Sequence, residues 1–243
     1  MKNGNNASTQ NLIYGRNPVK EALRANRVLK VFITSGFSDK EINLLFEEKK
    51  PFIKVVTQGE LDSKAHGGVH QGIAAEVKQY EYSDLDEILR RSRKVELPII
   101  VILDGIEDTH NLGAILRSCD VFNVTGVLIP KHNQVPLNAT VAKSSAGAIN
   151  YVPVAQIGSV NQTLQRLKDN GFWVVSTDGS ATIDYSKITY DFPVALVIGS
   201  EGKGVSSLVI KNSDYVVKIP QYGHVNSLNA SVAAGILLSR IRS

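Results

Sequence analysis

The chain has 243 residues, of which 43% are hydrophobic and 21% charged, with a formal net charge of +4. These values are ordinary for a globular protein of one large domain or two smaller ones, and the charge permits a nucleic-acid partner without requiring one. No run of 18 or more apolar residues occurs, so we expect no membrane-spanning helix. The single cysteine, Cys119, excludes an intrachain disulfide and fits a cytoplasmic protein. The polar segment 1–10 is predicted to be a disordered tail.

The segment 11–80 alternates predicted helices and strands, which is typical of a small α/β domain. Asn17-Pro18 opens a helix through Ala25, because proline is favoured in the first turn of a helix. Further helices are predicted at 39–50 and 59–65, and strands at 30–35, 52–57 and 73–77. The charged segment 81–97 has one apolar stripe and is predicted to be a linker helix.

From Pro98 a second α/β pattern begins with the fully apolar strand Ile99–Leu103, a composition typical of strands buried on both faces of a parallel sheet. Later strands are predicted at 127–129, 151–154, 172–177, 194–198 and 215–219. Helices are predicted at 112–122, 139–145, 160–170, 205–211 and 228–240. The segment 98–243 is therefore predicted to be a domain with a mostly parallel sheet.

Ligands of open parallel sheets bind beyond the carboxyl ends of the strands, so the loops at this edge are candidate sites. The first loop runs from Asp104 to Arg117. Rather than contact a ligand, Asn111 could be a helix N-cap and Arg117 a cation exposed to solvent. The second, Ile198–Gly204, has the spacing G-x-x-G-x-G, which is neither a Walker loop nor the dinucleotide fingerprint. A ligand loop and a purely structural turn fit it equally well.

The third loop runs from the strand that ends at Ile219 into the last helix. Ser227 and Asn229 could cap that helix, but the density of small polar residues exceeds what one cap needs. No nucleophile elbow of the G-x-S-x-G type occurs. No metal site is predicted, because glycines between His66 and His70 argue against a helix that presents both to one ion.

Three segments, NLGAILR (111–117), VIGSEGKGVS (197–206) and IPQYGHVNSLNASVAAGI (219–236), closely resemble the three ordered motifs of SpoU-type RNA methyltransferases in the SPOUT superfamily. Tyr14–Leu23 and His70–Ile73 resemble the small L30-like substrate-binding domain of that family. The two-domain layout is most similar to bacterial enzymes that methylate a guanosine ribose in large-subunit ribosomal RNA. Thr109 stands where relatives often have proline.

The resemblance implies a parallel α/β sheet with a deep trefoil knot from about Val194 onward, an exception to the usual absence of knots. It also implies S-adenosylmethionine bound in a bent form, and a homodimer whose active site draws on both subunits. By motif position, the implied cofactor contacts are Gly199, Ile219, Leu228, Thr177 and Gly179.

Arg117, Glu201 and Asn229 stand in the family's catalytic positions, with Ser227 close by. Arginine is a poor base because its pKa lies above about 12. The hypothesis is that Arg117 holds an RNA phosphate and lowers the pKa of the ribose hydroxyl electrostatically, or acts as a base only in a strongly perturbed site. Glu201 and Asn229 would orient Arg117 and the ribose.

The expected RNA contacts are Asn111, Arg16, Asn17, His70 and Gln71. For the four in the N-terminal domain, a simple packing role is an equal alternative. The predicted function is thus S-adenosylmethionine-dependent 2′-O-methylation of a guanosine ribose in large-subunit ribosomal RNA. Methylation of transfer RNA is one alternative. A non-catalytic RNA-binding protein that retains the fold is another, although the intact catalytic positions argue against it. A nicotinamide oxidoreductase would need a glycine fingerprint that the chain lacks.

Overall fold

The computed structural model describes residues 12–132, 134–224 and 227–243, so the predicted tail, 1–10, lies outside the described residues. By its internal contacts the chain forms two compact units. The first unit consists of residues 12–81 and 136–151, and the second of residues 82–135 and 152–243. Over the described ranges, no helix combines the length and the apolar character needed to cross a bilayer.

Eleven strands and nine α-helices are found in the described ranges. The strands are β1 Leu12–Tyr14, β2 Val28–Thr34, β3 Phe52–Val56, β4 Ile73–Val77, β5 Ile99–Asp104, β6 Gly126–Pro130, β7 Val154–Ile157, β8 Trp173–Thr177, β9 Ile183–Asp184, β10 Val194–Gly199 and β11 Tyr215–Lys218. The helices are α1 Arg16–Arg24, α2 Lys40–Lys49, α3 Gln58–Lys64, α4 Leu85–Ser92, α5 Thr109–Val121, α6 Ala139–Ser144, α7 Val160–Asp169, α8 Ser207–Lys211 and α9 Ala230–Arg242.

The first unit is built on a four-stranded sheet in the order β1-β4-β2-β3. Strand β4 is antiparallel to both β1 and β2, and β2 is parallel to β3. Leu61 of α3 packs with Phe32 and Ala74 on one face of this sheet. Helix α6, from the later segment, packs against β1 and α1. This is the small α/β domain that the sequence pattern predicts, with one helix added.

The second unit contains a seven-stranded sheet in the order β7-β6-β5-β10-β8-β11-β9, and every neighbouring pair is parallel. The predicted parallel sheet is therefore confirmed. Strand β10 is buried along its whole length between β5 and β8, as its apolar sequence predicts. The trefoil knot stays a prediction of the family resemblance.

The predicted linker, 81–97, is part of the second unit's core rather than a free connection. The second unit begins at Tyr82, and Ile88 and Leu89 of α4 are buried in the same cluster as Ile100 and Leu128. The apolar stripe along α4 explains this position, because such a stripe is stable only when another element covers it.

The structure differs from the sequence-based prediction of the elements in three further places. Strands β1 and β9 were not predicted, because their three and two residues are too few to show a period-two pattern. The strand predicted at 151–154 lies instead at β7, because a 3₁₀ helix at Ala148–Asn150 precedes it. The segment 136–151, assigned by sequence to the second domain, belongs to the first unit, where the Tyr151 hydroxyl donates a 2.6 Å hydrogen bond to Glu21.

We predict that Ile88→Ala lowers the free energy of unfolding by roughly 2–5 kcal/mol, because it leaves a cavity in a packed core. Leu97→Ala is the matched control, since its side chain is 38% exposed whereas that of Ile88 is 0% exposed. Urea denaturation of the two variants measures the difference. Equally small losses would mean that α4 is a dispensable linker after all.

Candidate cofactor and catalytic site

A cavity of about 300 Å³ lies at the carboxyl ends of β8, β10 and β11. The loops that follow these three strands form its walls. All five residues that the resemblance assigned to the cofactor line this cavity: Thr177, Gly179, Gly199, Ile219 and Leu228. The catalytic candidates Glu201 and Ser227 line it as well. The structure thus brings seven of the predicted site residues together, while their individual roles stay predictions.

The register of the sheet explains why these loops meet. Gly199 at the end of β10 lies opposite Asp104 at the end of β5, and Val217 of β11 lies opposite Thr177 at the end of β8. Because all these strands are parallel, their carboxyl ends face the same edge of the sheet. The order in which strands are added to the sheet also reverses between β5 and β10: β6 and β7 lie on one side of β5, and β8 to β11 lie on the other. Open parallel sheets bind ligands at such a reversal.

The glycine-rich loop folds back onto the end of its own strand. A Cβ atom built on Gly199 would overlap the backbone of Gly204 and Val205. The Gly204 N–H donates a 2.9 Å hydrogen bond to the Ser200 carbonyl, and Gly204 has a φ of +66°, in the left-handed region. The loop therefore needs glycine at 199 for close approach and at 204 for backbone conformation.

Glu201 is held by two side-chain amides at the rim of the cavity. Its Oε1 accepts a 3.0 Å hydrogen bond from Asn111 Nδ2 and a second hydrogen bond from Asn229 Nδ2. Asn229 Nδ2 also lies 2.9 Å from Asn111 Oδ1, which joins the three side chains into one cluster. We call these three residues the Glu201 cluster. The N-cap interpretation of Asn229 is confirmed, because its Oδ1 accepts from Ser231 N and caps α9, while its role in the active site stays a prediction.

One of the two expectations for Asn111 is wrong. The N-cap of α5 is Asp108, whose carboxylate accepts from His110 N, so Asn111 is not the cap. The side chain of Asn111 donates a hydrogen bond to Glu201, and its RNA contact stays a prediction. The contact joins residues 90 positions apart, which no local pattern could have revealed.

Arg117 lies on α5 and is exposed to solvent. In the described part of this one chain, no Glu201 cluster residue accepts a hydrogen bond from its guanidinium. Six residues of helix separate Arg117 from Asn111, which amounts to about 9 Å along the helix axis. The expected orientation of Arg117 by Glu201 and Asn229 is therefore not found in the part of the chain that the structure describes.

Charged side chains of both signs line the cavity wall. They are the carboxylates of Asp178 and Glu201 and the ammonium groups of Lys203 and Lys218. Hydrogen bonds from the Ser180 hydroxyl and N–H lower the pKa of Asp178, so this group is ionised at neutral pH. The sequence analysis missed Asp178, although it directly follows the predicted contact Thr177. Among residues that the structure describes, no cluster of three His, Cys, Asp or Glu side chains could hold a metal ion.

Three of the predicted RNA contacts lie together on the surface of the first unit. Arg16, Asn17 and Gln71 are all exposed, and Gln71 Oε1 accepts a 2.9 Å hydrogen bond from Arg16 N. The Arg16 guanidinium lies 3.3 Å from a carboxylate oxygen of Asp39. Their positions are compatible with RNA contact, and their role stays a prediction.

The structure argues against a direct RNA contact for the fourth, His70. Its side chain is 5% exposed, Nε2 lies 2.9 Å from Asp62 Oδ1, and Nδ1 accepts from Gly72 N. Both ring nitrogens thus have partners inside the unit. A histidine in a glycine-rich turn was expected to be accessible, but these hydrogen bonds hold it in the interior.

We predict that Gly199→Ala lowers the free energy of unfolding by roughly 1–3 kcal/mol, because the added methyl group must displace backbone. Gly202→Ala, three residues further along the same loop, should change it by less than about 0.5 kcal/mol, since a Cβ there meets open space. Urea denaturation followed by circular dichroism compares the two variants. Equal losses would mean that the close contact between Gly199 and Gly204 does not determine the loop's fold.

Comparison with known proteins identifies the family. Residues 98–239 match the model of the SpoU rRNA methylase family, and residues 12–83 match the model for RNA 2′-O-ribose methyltransferase substrate binding. A TrmH family tRNA/rRNA methyltransferase of Staphylococcus aureus is 43% identical over 235 residues, which covers 95% of this chain and 94% of the relative.

Two solved structures share the fold. The SpoU methyltransferase AviRb from Streptomyces viridochromogenes, in complex with AdoMet, superposes with a TM-score of 0.80 at 23% identity, covering 98% of this chain and 93% of that one. An AdoMet-bound rRNA methyltransferase from Sinorhizobium meliloti has a TM-score of 0.79 at 22% identity, covering 96% and 87%. Together with the cavity and its loops, the family matches show that this chain belongs to the SpoU family of S-adenosylmethionine-dependent RNA 2′-O-ribose methyltransferases.

Proposed function

We propose that this chain methylates the 2′-hydroxyl of a guanosine ribose in large-subunit ribosomal RNA. The observation that carries the proposal is the meeting of two features at one edge of the sheet. The cavity gathers the five cofactor candidates, and the Glu201 cluster lies at its rim. A methyl donor in the cavity and a ribose at the rim would be neighbours.

The residues of the cavity fit S-adenosylmethionine. The cavity's volume is at the lower end of the range of about 300–1,000 Å³ that small-molecule sites occupy. Ile198, Val217 and Leu228 offer apolar surface for an adenine ring. The carboxylates of Asp178 and Glu201 and the ammonium groups of Lys203 and Lys218 suit a ligand that carries charges of both signs, as S-adenosylmethionine does with its sulfonium, ammonium and carboxylate groups. S-adenosylmethionine supplies a methyl group that its sulfonium already activates for displacement.

The protein's task is therefore to align the ribose hydroxyl and to help remove its proton. Glu201 already accepts hydrogen bonds at Oε1 from two amides, so we assign it a positioning role rather than that of the base. Its contacts would fix the side chain of Asn229 beside the cavity. The positive charge of Arg117 would then stabilise the oxygen as it loses its proton.

We infer that the enzyme is a homodimer and that Arg117 acts in the active site of the partner subunit. The support is the place of Arg117, which is exposed on α5 and lies away from the Glu201 cluster of its own chain. Helices α5 and α9 pack together, and each presents an exposed valine, Val121 at 70% and Val232 at 49%. Val121 lies about one helical turn after Arg117 on α5. Exposed apolar side chains on two packed helices suit a symmetric interface between two copies.

The choice of ribosomal RNA rests on the two-unit layout. The rRNA methyltransferase from Sinorhizobium meliloti matches this chain over both units. The name of the Staphylococcus aureus relative includes both tRNA and rRNA as substrates, so transfer RNA is the second candidate substrate of this chain. The cytoplasmic location stays a prediction.

We predict that the purified protein transfers a labelled methyl group from S-adenosylmethionine into unmodified large-subunit ribosomal RNA and leaves unmodified transfer RNA unlabelled. Primer extension at low nucleotide concentration should then stop at one guanosine ribose. Arg117→Lys should lose at least about tenfold in turnover, because an ammonium cannot form two parallel hydrogen bonds. Label in transfer RNA alone would overturn the substrate, and no label in either pool would overturn the activity.

A mixed dimer tests where Arg117 acts. We predict that a dimer of one Arg117→Ala chain and one Glu201→Gln chain, isolated through two different tags, has about half of the wild-type activity, because one of its two sites is complete. Each variant alone should be strongly impaired.

The matched control is a mixed dimer of wild type with the double variant Arg117→Ala/Glu201→Gln. If Arg117 acts across the interface, both of its sites lack one residue and the dimer should be inactive. Half activity in this control, with none in the first mixed dimer, would place Arg117 in the site of its own subunit.

A further inference from the structure

Helices α5 and α9 of the second unit lie side by side and point in the same direction. Each has 13 residues, which amounts to about 20 Å of helix. At their first turns, the side chains of Asn111 and Asn229 share a hydrogen bond. At their last turns, Arg242 of α9 contacts the residues that end α5. Between the two ends, a Cβ atom built on Gly235 would lie 3.7 Å from Ser118 Oγ, so the helices stay in contact along their length.

The guanidinium of Arg242 donates hydrogen bonds to three backbone carbonyls. Nε donates to the Phe122 carbonyl at 2.8 Å and Nη2 to the Asn123 carbonyl at 2.7 Å, both at the end of α5. Nη1 donates at 2.8 Å to the Leu97 carbonyl, just before β5. Because a guanidinium is planar and its N–H groups point in fixed directions, these contacts fix the end of α9 relative to both α5 and β5.

The end of α5 has a backbone conformation that presents these carbonyls. The Val124 N–H donates a 2.8 Å hydrogen bond to the Cys119 carbonyl, and the Asn123 N–H donates one of 3.1 Å to the Asp120 carbonyl. These are the two hydrogen bonds of a Schellman motif, and Asn123 has the left-handed conformation that the motif requires, with a φ of 53° or less at 50°. The negative end of the α5 dipole lies here, beside the last turn of α9, so the positive charge of Arg242 is favourable at the ends of both helices.

The opposite ends of the two helices carry a negative charge in the same arrangement. The Glu201 carboxylate accepts hydrogen bonds from Asn111, in the first turn of α5, and from Asn229, the N-cap of α9. The first turn of a helix is the positive end of its dipole, where an anion is favourable. The helix pair is thus held by a carboxylate at the end that lies beside the cofactor cavity and by the guanidinium of Arg242 at the other end.

We propose that Arg242 is a positioning residue for methyl transfer: it fixes α9 along its axis against α5 and thereby holds Asn229 in the Glu201 cluster. A helix is a rigid element, so a shift at its last turn is transmitted to its first turn. A displacement of about 1 Å, caused by a change far from the reacting atoms, can cost about a hundredfold in rate. The inference rests on the proposed role of Asn229 in the reaction.

The test compares Arg242→Lys with Arg240→Lys. Arg240 lies on the same helix and also donates to backbone carbonyls, those of Ser186 and Ile188, which are not part of α5. Each variant keeps the positive charge and loses the fixed geometry of the guanidinium. Arg240→Lys is therefore the matched control for a general loosening of the last turn of α9.

Hydrogen exchange of backbone amides measures the effect on α9 without any substrate. The N–H groups of Ser231 and Val232 donate to Asn229 Oδ1 at the first turn of α9. We expect Arg242→Lys to speed exchange at both amides at least about fivefold, because the N-cap contact opens more often, and Arg240→Lys to leave both unchanged. Faster exchange confined to the last turn of α9 in Arg242→Lys would overturn the proposal.

Turnover on unmodified large-subunit ribosomal RNA is the second measurement. We expect Arg242→Lys to lower kcat at least about tenfold and to leave the KM values for S-adenosylmethionine and RNA within about twofold of wild type, because alignment rather than binding is lost. Arg240→Lys should keep the wild-type kcat. An equal fall of kcat in both variants, or a change in KM alone, would contradict the positioning role. If wild type transfers no methyl group to any RNA, the proposed function fails, whereas the exchange rates still decide whether Arg242 positions Asn229.

Discussion

The return of the glycine-rich loop onto the end of β10 is the contact on which the rest of the site depends. Gly199 lies so close to Gly204 that any side chain at position 199 would overlap backbone. This close approach directs Glu201 toward Asn111 and Asn229 and closes one wall of the cavity. The other walls need no comparable constraint, because the parallel register already brings the ends of β8 and β11 to the same edge.

The larger features of the fold could be predicted from sequence because they follow from burial. The apolar strands β5 and β10 can only lie in the middle of a sheet covered on both faces, and they do. The features that the pattern missed depend on distant contacts. Helix α6 belongs to the first unit because it packs against β1 and α1. These elements lie more than 100 residues earlier in the chain, so a short stretch of sequence cannot reveal the contact.

The same distinction applies to the residues of the candidate site: some features follow from the local sequence, and others depend on distant contacts. Residue patterns alone left Asn229 as either a helix cap or a ligand contact. The structure shows that its Oδ1 caps α9 and that its Nδ2 contacts Asn111 and Glu201, while the ligand contact stays a prediction. The cofactor candidates came from the family resemblance, since nothing in the spacing of Ile219 or Leu228 indicates a ligand. The burial of the His70 side chain was not predicted, because it depends on hydrogen bonds to Asp62 and Gly72. The role of Arg117 stays a prediction, because in the described part of the chain its guanidinium makes no hydrogen bond to the Glu201 cluster.

The central claim is that three loops at the carboxyl edge of the parallel sheet form the binding site for S-adenosylmethionine. Hydrogen exchange of backbone amides, with and without S-adenosylmethionine, tests it directly, because binding slows the local opening of the segments that it contacts. We predict slower exchange at residues 177–179, 198–204 and 217–230, and unchanged exchange in β1 to β4. Protection confined to the first unit, with the end of β10 unaffected, would contradict the account.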